Sequence, residues 1–126
     1  SVMKESEKMA KVYVETEVLS QNGKDSFQGK ALLQENRLIY YQDKIKNTFT
    51  YGKIVSLIRE DEEVKIELHF SPEPQAFCHL KKYAQSFSLQ IEVESCTQEE
   101  NQYKMVYDIE GERHQIKITI RGDENG

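Results

Sequence analysis

Apolar and polar residues take turns along most of this chain, and a period of two restricts it to strands. Phe87, Leu89, Ile91 and Val93 alternate with Ser88, Gln90, Glu92 and Glu94. Val64, Ile66, Leu68 and Phe70 alternate with Lys65, Glu67 and His69, and Ile116, Ile118 and Ile120 do so with Gln115, Lys117 and Thr119. Such segments have one face for a core and one for water. Helical spacing is expected only in the N-terminal tail, where 2–10 suits a short helical turn.

The pattern predicts strands near 11–20, 26–34, 37–43, 48–60, 64–70, 76–83, 86–95, 103–109 and 113–121. Fusion or splitting of these gives a range of about eight to ten. Asn22-Gly23 and Glu110-Gly111-Glu112 carry the glycine of tight hairpin turns, and Glu35-Asn36 and Asp61-Glu62 are polar tips. The stretch 97–102 reads as a polar loop. Pro72 and Pro74 stop the ladder after Phe70, since proline donates no strand hydrogen bond. Short links between successive strands mean an antiparallel meander. Twist and the need to hide edges argue for closure. The expected fold is therefore all-β, a closed antiparallel meander barrel of the lipocalin or calycin type. A sandwich would require longer crossovers.

The length, 126 residues, fits one domain over 1–126, with 1–10 a tail and 122–126 a frayed end. Net charge is −5, and the densest basic spot, Lys81-Lys82, is too small for a phosphate-binding footprint, so no nucleic-acid partner is expected. No run approaches a membrane span, and the first residues hold no apolar leader. Cys78 and Cys96 form no metal-ligand spacing, which points to free thiols in a reducing cytoplasm. Neither a cofactor motif nor a catalytic set is legible. A nucleophilic serine would need a base and an orienting carboxylate.

Candidate ligand contacts come from strand parity. Arg59 shares parity with Val55 and Leu57; if those face inward it can clamp a carboxylate or phosphate, and if Ile54 and Ile58 do, it is exposed. His114 shares parity with Ile116, Ile118 and Ile120, while His69 and His79 read as surface residues. Tyr40, Tyr103 and Tyr107 can line a cavity or fill the barrel. Thr16 and Ser56 are small polar residues at positions that can face inward.

A family resemblance runs over most of the chain. It is carried by Gly29-Lys30-Ala31-Leu32-Leu33, by Leu38-Ile39-Tyr40-Tyr41, by Val55-Ser56-Leu57-Ile58-Arg59 and by Val64 to Phe70. It continues through Ser71-Pro72, Ser88-Leu89-Gln90-Ile91, Tyr103 to Gly111 and Ile116-Lys117-Ile118. The sequence resembles the YwiB-like family of small uncharacterised β-barrel proteins of Gram-positive bacteria. It departs from the family pattern at Glu60-Asp61 and at Ser71-Pro72-Glu73-Pro74. The resemblance implies a lipocalin-like barrel in a bacterial cytoplasm and brings no activity with it.

These readings lead to a barrel that binds a small, partly apolar or anionic ligand. An alternative is a filled barrel acting as an interaction module, monomeric or a homodimer. A third is an enzyme using Arg59 or His114 at the barrel mouth.

Overall fold

The computed structural model describes residues 9–122. Eleven strands follow one another: β1 (Ala10–Ser20), β2 (Gly23–Gln34), β3 (Arg37–Gln42), β4 (Ile45–Thr50), β5 (Val55–Glu60), β6 (Val64–Ser71), β7 (Gln75–Leu80), β8 (Gln85–Leu89), β9 (Ile91–Glu99), β10 (Gln102–Ile109) and β11 (Glu112–Arg121). One sheet contains them all, in the order β8-β7-β6-β5-β4-β3-β2-β1-β11-β10-β9, and every pairing is antiparallel. The expected helical turn in 2–10 falls almost wholly outside the described residues; Ala10 already belongs to β1. Among the described residues no helix is long and apolar enough to cross a membrane.

The strand count exceeds the expected range because two long segments are divided. The stretch 48–60 contributes to both β4 and β5, separated at Gly52, whose φ of 104° turns the chain. The stretch 86–95 changes partners at Gln90: β8 pairs with β7, and β9 pairs with β10. The expected loop over 97–102 is mostly strand, with a turn at Glu100-Asn101, because polar side chains at a wet barrel end still permit ladder bonds. Where a strand was expected to run on to Tyr83, β7 ends at Leu80 and a 3-10 turn, Lys81–Tyr83, leads to Ala84 in the left-handed region. The Glu110-Gly111 turn has positive φ at both residues, as a two-residue hairpin demands.

Pairing of β1 with β11 rolls the sheet, and one seam stays unsealed between β8 and β9. The fold is thus a nearly closed barrel instead of the fully closed one expected. At the seam the Gln90 N–H donates to Oε2 of Glu110 at 2.6 Å, and the Glu110 N–H returns a bond to the Gln90 carbonyl at 2.9 Å.

The inward face is filled. Val14, Leu38, Phe49, Met105 and Ile118 are wholly buried. Aromatic rings meet across the interior, Phe49 against Tyr103 at 5.2 Å and Phe70 against Tyr107 at 5.0 Å between centroids. Each such side chain gives about 1.5–3 kcal/mol on burial. Packed rings therefore fill much of the barrel interior among the described residues.

Candidate functional site

Tyr40 of β3, Asn47 of β4 and Arg59 of β5 stand opposite one another in register, and Ile66 of β6 completes the row. Leu38, Phe49 and Leu57, two positions away on the same strands, belong to the core, so this row also faces inward. That resolves the parity of β5. Arg59 points into the barrel, and Ile54, just before the strand, is exposed. Arg59 donates through Nε to Oδ1 of Asn47 at 3.1 Å. Asn47 is 2% exposed and uses its own Nδ2 on the Ile45 carbonyl at 3.2 Å. Among the described residues no carboxylate pairs with Arg59.

Two buried phenols lie within reach of that guanidinium charge. Burial pushes the hydroxyls of both Tyr40 and Tyr107 up to about 12, against a smaller opposing pull from Arg59. Both stay protonated at neutral pH and keep a donor. His114 of β11 pairs with Tyr107 of β10, and their rings stack at 5.4 Å and 17°. The imidazole is on the inward face, as its parity required, and is a quarter exposed, with Nε2 3.9 Å from Oε2 of Glu112. It lines an open groove of about 290 Å³ together with Leu19 and Arg113. Small-molecule pockets begin near roughly 300 Å³.

The other expected contacts lie elsewhere. Tyr103 packs against Phe49 and Tyr51, and lines a cavity of about 130 Å³ with Met105 and Cys96. Thr16 is buried and faces inward, flanked in register by Phe27 and Ile118, so a ring fills the room it leaves. Ser56 is buried but sits between Val55 and Leu57, both core residues, and so points away from the interior. A wider groove of about 560 Å³ runs by Glu99, Glu100, Thr119 and Arg121, and none of the expected contacts lines it.

Sequence reasoning missed Asn47. Its signal is a lone amide in the same parity as Ile45 and Phe49, in a strand expected to start at 48 but starting at Ile45. It also missed a link between two histidines. Nε2 of His69 lies 3.1 Å from Oε1 of Glu67, and Nε2 of His79 lies 2.5 Å from Oε2 of the same carboxylate. Nδ1 of His79 is 2.7 Å from Oγ of Ser86. This cluster sits on the outer face of β6, β7 and β8, opposite in parity to Leu68 and Ala76, whereas His114 faces inward.

No family model matches the sequence, and no curated protein does. Among solved structures, the chain is similar to the ywiB protein from Bacillus subtilis, at 17% identity and a TM-score of 0.69 over 93% of this chain and 95% of that one. At that identity the likeness establishes a shared fold: this chain has the architecture of the ywiB barrel.

Proposed function

We propose that this protein binds a small ligand with an anionic head and an apolar body, anchored by Arg59 at one end of the barrel. The observation that carries the reading is a guanidinium turned into the barrel whose one hydrogen-bond partner among the described residues is a neutral amide. A half-buried charge favours a counter-charge, and guanidinium donors match a carboxylate or phosphate. Tyr40 and Tyr107 add neutral hydroxyl donors, and the aromatic interior suits an apolar body. The packed core restricts the ligand to a shallow seat at the mouth beside Arg59. We place this lipocalin-like binding role in a reducing cytoplasm, consistent with Cys78 and Cys96, both free thiols.

Two measurements test it. Native mass spectrometry of protein purified from cells, with a denatured control, should show a bound mass that denaturation releases. Calorimetric titration with octanoate, octyl phosphate and neutral octanol should then rank the anions above the alcohol. Arg59→Gln should weaken anion binding by roughly ten- to a hundredfold, as expected for charge-assisted hydrogen bonds. Equal binding of all three probes, or an Arg59→Gln protein as good as the parent, would overturn the reading.

A filled interior favours a second reading, an interaction module working through its outer surface. The exposed aromatic side chain of Tyr83 supports it.

A further inference from the structure

The two edges of the sheet are treated differently. The free edge of β9 turns toward β6 across the seam, and its neighbourhood carries Glu92 and Glu94. The free edge of β8 lies beyond the last rung that Glu110 makes with Gln90, and among the described residues no strand covers it. Sheet edges are ordinarily guarded by charge, proline or a bulge. β8 has none of these. From Ala84 to Ile91 no side chain is ionisable, in a chain that is 31% charged. Every residue from Gln85 to Ser88 is exposed, and Phe87 is 47% exposed at the centre of the strand.

The ends of this neutral edge have opposite charge. Before it stands the Lys81–Tyr83 turn, where Lys82 lies 5.7 Å over the Tyr83 ring. After it come Glu92 and Glu94. A strand that is neutral in the middle, basic at its start and acidic past its end complements itself when turned antiparallel. We infer that β8 is the contact surface for a second copy of this chain, paired edge to edge about a two-fold axis at Phe87. The axis sets Phe87 beside its own equivalent and Ser86 beside Ser88 of the second copy, and turns the Lys81–Tyr83 end of one edge toward the Glu92 end of the other. The contact is isologous, so each of these pairs occurs twice apart from the central one. Ladder bonds from the free N–H and C=O groups give the affinity, and the end charges fix the register and direction. Negative net charge disfavours contact over most of the surface, and the neutral edge is where two copies meet without like charges facing.

Sedimentation velocity on the full chain, from roughly micromolar concentrations upward, tests this. The expected result is a dimer that dissociates on dilution. Phe87→Lys places a charge opposite itself and should abolish the dimer. Lys82→Glu and Glu92→Lys should each weaken it by roughly three- to tenfold, since a cross-strand charge pair is modest and two are affected. The double reversal K82E/E92K should restore it. Circular dichroism of each variant confirms that the barrel is intact. A monomer at all concentrations, a dimer that Phe87→Lys leaves unchanged, or a double reversal no tighter than the singles would each overturn the inference. None of these outcomes bears on anion binding at Arg59.

Discussion

Arg59 and Asn47 face each other across the β4–β5 ladder and share a 3.1 Å hydrogen bond inside the barrel. The amide holds the guanidinium in place without neutralising it. Asn47→Ala should destabilise the fold by about 1–3 kcal/mol, because the Arg59 Nε–H and the Ile45 carbonyl both lose a partner. Asn47→Asp should behave differently. It supplies the missing anion from within, so octyl phosphate binding should fall roughly tenfold or more while the fold survives. Urea unfolding and calorimetry on the two variants separate these effects. Undiminished octyl phosphate binding by Asn47→Asp would exclude Arg59 as the anchor.

Tyr40 and Tyr107 make the fold sensitive to alkali. Their hydroxyl pKa values stand near 12 in the barrel against 10.0 for an ordinary tyrosine. The folded state keeps protons that the unfolded chain gives up, so stability is intact below pH 10 and is lost as pH rises toward 12. Each tyrosine contributes a loss of roughly 2–3 kcal/mol over that window. Absorbance at the phenolate band should show late-titrating tyrosines that unfolding releases, and Tyr40→Phe should remove part of the effect. Simultaneous ionisation of all tyrosines in the native protein would contradict this account.

Much of this architecture is legible in the sequence, for a physical reason. Period-two alternation is a local property, so Val64 to Phe70 and Ile116 to Ile120 could be placed on strands and on faces without the fold. Partner choice is not local. Nothing in Ser88-Leu89-Gln90-Ile91 indicates that the chain leaves β7 at Gln90 and joins β10, so the seam was hidden. The site was half visible. His114 could be placed inward from parity alone, but Arg59 had two possible faces until its opposition to Asn47 fixed one. Ser56 shares parity with Ile54 and Ile58 and faces inward only if they do; Val55 and Leu57 on either side belong to the core instead, with a register shift between Val55 and Ser56.

Gly29 is required by a close approach. A Cβ built there would stand 2.7 Å from Cζ of Phe27, whose ring lies over the glycine and stacks on Tyr40 at 5.6 Å. Gly29→Ala must displace that ring, at a cost of about 1–3 kcal/mol. Phe27→Ala should also destabilise the barrel, and the two changes should be non-additive, since the alanine methyl clashes only while the ring is present. Chemical denaturation of the single and double variants measures the coupling. Strict additivity would show that the ring does not occupy this position in solution.

Glu67 ties the outer faces of β6, β7 and β8 together through His69, His79 and, beyond His79, Ser86. Partial burial pushes its carboxyl pKa up, but the hydrogen bonds from His69 and His79 together outweigh burial and hold it below the ordinary 4.5. The carboxylate therefore contributes stability above pH 4.5, and that contribution is lost as pH falls through the lowered value. Glu17, Glu60, Asp61 and Glu94 are shifted the same way by their bonds to lysine, arginine or backbone, but they are solvent-exposed and strongly screened. Glu67 should thus account for a distinct share of the acid sensitivity. Unfolding free energy measured from pH 6 down to pH 3 should fall less steeply in Glu67→Gln than in the parent. Glu94→Gln, which loses an exposed bidentate bond to Arg113, should change that slope little. Parallel curves for the parent and Glu67→Gln would mean that the two histidines do not hold the carboxylate in solution.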